Sequence, residues 1–545
     1  MKLKLPLDML YHWEQSTPST VYLRQPINGV FEEYTWADTA NLARRIASSL
    51  LALDLPPGSR IAILSKNCAE WFITDLAIMM AGHISVPIYF TAGNDTISYV
   101  LEHSGSQAIF LGKLDDMSSQ LEAVPDNLIK ISFPYEVAPN SIHWEQLLTQ
   151  PPLADTIERL PDDTMSIIYT SGSTGKPKGI VTSFRAFAWS CQALQEKIPV
   201  TPSDRVMSYL PLAHITERIY IEGSSLYNGN SVSFVESLDS FTNDIQAIKP
   251  TLFLSVPRLW IRFQMGILAN ISQRKLNLLL KIPFLNNVLA RKIRQKLGLD
   301  QTFIWGSGAA PISSATLHWY HRLGINISEG WGMTENCAIG TIGYPFRADK
   351  IGSIGRPISP ENLRISNEGE IQLRGPNVMK EYYLAPEQTA EAFTEDGWFK
   401  TGDQGRLDNE GYLYITGRLK ENFKTSKGKY IAPVPIEALL MENSLIEQVC
   451  VTGTNLKQPI SLLVLTPEAA QTPAAELKRS LEKTLRQVNE RLESHERLDS
   501  LVVVNESWGA ENGLLTPTLK IKRSEIEAKY AALIEAKHNE PVTFA

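Results

Sequence analysis

The sequence predicts an α/β protein with a large N-terminal domain of sheets covered by helices, residues 1–418, and a small C-terminal α+β domain, residues 419–545. Up to about residue 415, short apolar runs bounded by turn residues alternate with longer stretches of helical spacing, which is how buried strands under helices read. Past Gly417-Arg418-Leu419-Lys420 a second unit begins, in which strand-like VCVTG and ISLLVL precede an apolar helical stripe and LVVV follows it. At 545 residues the chain also exceeds what one hydrophobic core usually serves.

In chain order, Ile167-Ile168-Tyr169, Leu252-Phe253-Leu254 and Thr302-Phe303-Ile304-Trp305 are expected strands of the first domain. Between Val256 and Leu299 runs a long apolar and basic stretch. Its Arg291, Lys292, Arg294 and Lys296 are expected to form one solvated helix face, with a docking patch for an anionic partner as the alternative. Asp408-Asn409-Glu410-Gly411 has hairpin chemistry. Pro473 stands at a favoured helix start, and Leu477, Leu481, Leu485, Val488 and Leu492 make the stripe of the following helix. No internal repeat is visible.

Composition removes several classes of function. Apolar residues at 43% and charged residues at 20% exclude disorder as the main state. With 52 basic against 59 acidic residues and a net charge of −7, the chain lacks the basic footprint of a nucleic-acid binder. Cys68, Cys191, Cys337 and Cys450 form no CxxC pair, so neither a disulfide framework nor a zinc site is expected, and a cytoplasmic location fits. MKLKLPLDML is a poor signal peptide, and no apolar run reaches membrane-spanning length; peripheral membrane contact stays open.

The most informative segment is Tyr169-Thr170-Ser171-Gly172-Ser173-Thr174-Gly175-Lys176-Pro177-Lys178-Gly179, directly after an expected strand. Glycines let backbone N–H groups turn toward an anion, hydroxyls donate to phosphate oxygens, and lysines neutralise charge. It reads as a polyphosphate cradle, and a plain Gly/Ser linker would account for neither the lysines nor the strand. It is not a Walker A loop, because Thr170 occupies the position where that motif needs its first glycine.

This segment resembles the signature loop of the adenylate-forming superfamily of acyl-CoA synthetases, nonribosomal adenylation domains and luciferases. Further matches follow in the family's order over most of the chain: YLPLAH at 209–214, GSGAAP at 306–311, GWGMTE at 330–335, GEIQLRG at 369–375, TGD at 401–403, GRLK at 417–420 and NGLLTPTLK at 512–520. The resemblance implies a nucleotide site built from Thr170, Ser171, Gly172, Ser173, Thr174, Gly175, Lys176, Lys178, Gly308, Ala309, Trp331, Gly332, Thr334, Asp403, Arg418 and Lys520. Asp403 would accept from ribose hydroxyls and Arg418 would add donors; Trp331, where relatives commonly have Tyr, would stack on adenine. Thr170 and Glu335 would hold Mg²⁺ beside the phosphates, since that ion takes oxygen ligands and bridges carboxylate to phosphate. His214, with the HxxER continuation through Glu217-Arg218 seen in long-chain members, would gate or orient, and apolar residues after it and around Ile327 would line the acyl site.

For the chemistry itself, the resemblance singles out Lys520, Glu335, His214 and Thr170 as catalytic. A carboxylate attacking a phosphate builds charge that a positioned ammonium, Lys520, stabilises more in the transition state than in the ground state. Leu519 stands where many relatives have Gly, a departure the long-chain branch shares. Lys420 resembles a hinge, and Lys424 through Gly428 the loop that enters the site for thiol attack when the mobile C-terminal domain rotates; one extra residue precedes Gly428. The implied activity is activation of a fatty acid by ATP through acyl-AMP, followed by transfer to CoA. The alternatives are transfer to the phosphopantetheine of acyl carrier protein, oxidation as in luciferases, for which no residue speaks, and a non-catalytic nucleotide-binding relative.

Overall fold

The computed structural model describes residues 3–170, 176–509, 512–516, 520–538 and 540–545. Ser171, Gly172, Ser173, Thr174 and Gly175 of the expected cradle, and Pro517 through Leu519 before Lys520, lie outside the described residues.

Among the described residues, the largest sheet runs in the order Ile142–His143, Ile129–Ser132, Ala108–Leu111, Arg60–Leu64, Ile84–Ile88, Thr164–Thr170 and Lys178–Ser183. Its strands are parallel except for the closing hairpin, where Thr170 pairs with Lys178. Parallel strands need cover on both faces, and they read as continuous apolar runs for that reason. The helix Ala69–Met80 is apolar almost all round and buried along its whole length.

A second sheet pairs Arg205–Ser208, Ser231–Phe234, Val21–Ile27 and Val30–Thr35. A third holds Leu252–Ser255, Ile304–Ser307 and Ile327–Trp331 in parallel, then Thr341–Ile342 and Arg356–Pro357 antiparallel. Thr302 and Phe303 precede the strand that was expected to include them. The antiparallel sheet Leu363–Ile365, Glu370–Leu373, Phe399–Leu407 and Leu413–Arg418 contains the hairpin foreseen at Asp408–Gly411.

The chain then turns through Leu419–Glu421 into a separate core of Phe423, Ile431, Ile436 and the sheet Ile446–Thr452, Ile460–Leu465, Leu501–Val503 and Val542–Phe544. The helix Ala474–Glu490 lays Leu477, Leu481, Leu485 and Val488 on that core; Pro473 is the residue before it and Leu492 packs just past its end.

The basic stretch forms helices Pro257–Asn270, Gln273–Leu279 and Leu285–Lys296. Here one expectation fails. Arg291, Lys292 and Lys296 are exposed, but Arg294 turns inward and donates from Nη1 to the Leu323 carbonyl at 2.7 Å. At 100° per residue the four cannot share one face, and the inward position falls beside buried Ile293 and Ala290.

Candidate active site

The hairpin that closes the large sheet brings the ends of the cradle segment together, with Thr170 and Lys178 directly opposite. The two lysines beyond the loop rest on aromatic faces: Lys176 lies 5.2 Å from the Tyr99 ring and Lys178 4.9 Å from the Tyr382 ring. Tyr382 also donates its hydroxyl to Glu335 Oε1 at 3.0 Å. One tyrosine therefore couples the cradle to the carboxylate expected to hold a metal.

Glu335 sits in the 3-10 turn Thr334–Asn336, which follows the strand Ile327–Trp331. Burial lifts its carboxyl above the usual range; the Tyr382 hydrogen bond and the charges of Arg418 and Lys178 work the other way. A half-buried carboxylate with one oxygen committed suits a divalent cation shared with substrate phosphates. Among the described residues no group of three or more His, Cys, Asp or Glu side chains forms a cage for a metal.

Backbone packing explains the small residues nearby. A Cβ on Gly332 would meet the Ala338 carbonyl at 2.2 Å, so only glycine lets this turn close. Gly308 approaches the Gly330 carbonyl, and Ala309 adopts φ +67° at the end of the neighbouring strand.

Asp403 and Arg418 are cross-strand partners, and register alone sets them side by side. Arg418 Nε donates to Asp403 Oδ1 at 2.6 Å and the Trp331 indole N–H donates to Oδ2 at 2.8 Å. Each carboxylate oxygen has thus been given a donor, and a ribose would use the remaining lone pairs. Trp331 lies against Gly340, which is bare of a side chain where the ring passes.

Lys520 of the C-terminal domain comes to this same place. Its surroundings and the Arg418 guanidinium lower its pKa, while Asp403, Glu335 and Glu421 act in the opposite sense. Water still reaches the side chain. The backbone around it is fixed by a pair of bonds, Thr516 N–H to the Lys520 carbonyl at 2.8 Å and Lys520 N–H to Thr516 Oγ1 at 3.1 Å.

His214 caps the short helix Ile215–Glu217, its Nδ1 accepting from Thr216 N–H at 3.2 Å. Burial and the charge of Lys520 push it down to about 3, so the ring is neutral near pH 7 and that hydrogen bond leaves Nε2 as the N–H. The geometry fits an orienting donor better than an acid or base.

Sequence reasoning missed what holds this loop. Glu217 Oε1 accepts from Ser208 Oγ at 2.8 Å and Tyr209 N–H at 2.9 Å. Asn67, far away in the chain, donates to the Leu210 carbonyl at 2.7 Å and accepts from Leu212 N–H at 3.3 Å. Arg218 is fully buried between Asp75 and Glu222 and bonds Ser166 Oγ at 3.0 Å. The HxxER string marked Glu217 and Arg218, but nothing in the sequence marked Asn67 or Asp75. The apolar residues expected to line an acyl site, Ile215, Ile219 and Ile327, are packed in two core clusters.

Lys420 lies in the exposed turn between the two cores. The structure does not bring Lys424 and Gly428 to the cleft. They sit on the hairpin Phe423–Lys424 and Tyr430–Ile431, with Lys424 Nζ 5.6 Å from the Tyr430 ring and Gly428 at φ +77°.

The profile of the AMP-binding enzyme family matches residues 10–383, and that of the AMP-binding enzyme C-terminal domain matches 421–541. A long-chain-fatty-acid–CoA ligase, FadD15, of Mycobacterium bovis is 29% identical over 97% of this chain and 96% of its own. The peroxisomal long chain acyl-CoA synthetase 7 of Arabidopsis thaliana is 30% identical over 98% of this chain and 86% of its own. Among solved structures, the anthranilate CoA ligase AuaEII with anthranoyl-AMP superposes with a TM-score of 0.80 at 20% identity, covering 98% of this chain and 99% of that one. The O-succinylbenzoate coenzyme A synthetase MenE of Bacillus subtilis with ATP and magnesium gives 0.73 at 24% identity, covering 95% and 99%. Both share the fold, and the chain belongs to the AMP-binding enzyme family.

Proposed function

We propose that the protein is a long-chain fatty acid:CoA ligase. The observation that carries the reading is that Lys520, although it belongs to the C-terminal domain, lies within electrostatic range of Asp403, Arg418 and Glu335, with Lys178 in turn near Glu335. The named relatives supply the substrate class, a long-chain fatty acid.

In the first step a carboxylate oxygen attacks the α-phosphorus of ATP and pyrophosphate leaves, giving acyl-AMP. Lys520 stands where an ammonium can meet both anions as charge accumulates on the phosphate. The cradle with Thr170, Lys176 and Lys178 holds the β- and γ-phosphates, and Asp403 and Arg418 take the ribose. Glu335 and Thr170 would hold Mg²⁺, which supplies charge neutralisation on the phosphates when bound. In the second step a thiolate sulfur, its proton released to solvent, attacks the acyl carbon, and AMP departs with the electron pair of the acyl–oxygen bond. Neutral His214 orients the acyl group by its Nε2–H, and a rotation about Lys420 presents the Lys424–Gly428 hairpin. Four buried unpaired thiols suit a cytoplasmic setting.

ATP–pyrophosphate exchange over a panel of fatty acids tests the reading, followed by product mass spectrometry with CoA and with acyl carrier protein offered separately. Exchange with long-chain acids and an acyl-CoA product is expected. Absence of exchange with every fatty acid would refute it, and thioester on carrier protein alone would replace CoA as acceptor.

A further inference from the structure

We propose that the three-helix segment Pro257–Lys296 is a docking surface for an anionic lipid membrane. Residues 245–299 contain ten Lys and Arg and not one Asp or Glu, in a chain whose net charge is −7. Such a local reversal has no counterpart in the composition of the whole.

The apolar side chains of this segment are the second observation. Phe284 is 86% exposed, Leu278 63% and Val288 51%, with Ile282 and Leu285 also exposed. Lys281 through Leu285 form an unbroken exposed run at the crest between two helices. Phe284 adopts φ +66°, a conformation unfavourable for a bulky L side chain, and its ring stands in solvent. On the helix Leu285–Lys296, Leu285, Val288 and Arg291-Lys292 follow at three- and four-residue spacing, so the apolar crest runs directly into cationic side chains on one face. Ala290 and Ile293 on the other face are buried in the domain. Among the described residues, Lys275, Lys281, Arg291 and Lys292 form no ion pair.

An aromatic crest ringed by unpaired cations meets the chemistry of a bilayer surface: headgroup phosphates bind the lysines and arginines while the ring enters the acyl boundary. An acidic protein partner would satisfy the cations but would also need an apolar pocket at the matching place for the protruding phenylalanine, which a bilayer supplies along its whole surface. Among the described residues no helix is long and apolar enough to cross a membrane, so the contact would be peripheral. A surface of this kind would bring the enzyme to where a water-insoluble fatty acid is dissolved; that consequence rests on the ligase reading, whereas lipid binding itself does not.

The test is flotation of the full-length protein with phosphatidylcholine vesicles, with and without phosphatidylglycerol. The parent should bind the anionic vesicles and lose them as salt is raised. Lys281→Glu with Arg291→Glu, and separately Ile282→Ser with Phe284→Ser, should each weaken binding about tenfold or more. Pyrophosphate exchange with a freely soluble medium-chain acid should be unchanged in both. A parent that ignores anionic vesicles at low salt, or two variants that bind as the parent does, would overturn the proposal. So would an acidic carrier protein captured by this face in the absence of any vesicle binding. If vesicles bind and exchange is absent with every acid, the surface stands and the ligase reading falls.

Discussion

Lys520 and His214 lie within electrostatic reach of each other, and the positive charge of one helps keep the other neutral. This division of labour predicts the effect of removing the lysine. Lys520→Ala should slow acyl-AMP formation by roughly 10²–10³, the scale for losing one transition-state donor. Attack of thiol on supplied acyl-AMP should suffer far less, and rapid-quench measurement of each half-reaction separates the two. Equal losses would contradict a lysine that acts in one step only.

Glu217 yields a prediction of a different kind. Burial pushes its carboxyl up to about 8 from an ordinary 4.5, against the pull of Ser208 and two backbone N–H groups. The folded protein therefore holds this proton over a range where the unfolded chain has released it. The stability it contributes is complete below about pH 4.5 and drains away as pH rises through about 8. Glu217→Gln cannot titrate, so the melting temperature of the parent should fall relative to the variant across that window. A constant difference between the two melting curves from pH 5 to 8.5 would refute the assignment. At this scale a motif pointed to Lys520, Glu335 and Asp403, and the fold brings Lys520 within electrostatic range of the other two. The sequence was silent on Asn67 and Tyr382, because an ordinary polar side chain becomes a support only when distant chain segments meet.

Among elements, the hairpin Asp408–Gly411, the helix after Pro473 and the strands flanking it could be read in advance, since each depends on local turn chemistry or a single apolar period. The basic helix could not be read fully. Its charges were visible, but the turning of Arg294 toward the Leu323 carbonyl depends on which face meets the domain. The short strand Val542–Phe544 was likewise hidden, because three residues carry no period.

The turn at Leu419–Glu421 is the element on which the proposed domain rotation depends. Lys420 is exposed there, and its own N–H makes no backbone hydrogen bond among the described residues. Lys420→Pro should fold and retain pyrophosphate exchange while thioester formation drops sharply, because proline fixes the φ that a hinge must change. Parent-level thioester formation would move the hinge to another residue.

For the whole molecule, two domains, each built on its own core clusters, meet with Lys520 of one within electrostatic range of Asp403 and Glu335 of the other. The exposed surface of 24,214 Å² exceeds the ~20,000 Å² that size scaling gives for one compact body of this mass, the direction expected of a chain divided into two domains. The order of motifs disclosed both cores, yet the relative placement that brings Lys520 to Asp403 belongs to tertiary contacts no motif encodes. One such contact is the ion pair of Arg258 with Glu447, 3.1 Å across the domain boundary and half in solvent. An exposed pair contributes little to stability, so it can break at small cost when the domain turns. It also offers a way to arrest the turn. A bis-maleimide linking Arg258→Cys to Glu447→Cys, whose parent side chains touch, would bridge the two domains. The four native cysteines are buried and should not compete for the reagent. The bridged protein should carry out pyrophosphate exchange at the parent rate and lose thioester formation, while the same double variant left unbridged should do both. If bridging leaves thioester formation intact, the arrangement with Lys520 in the cleft serves both half-reactions and no rotation is needed.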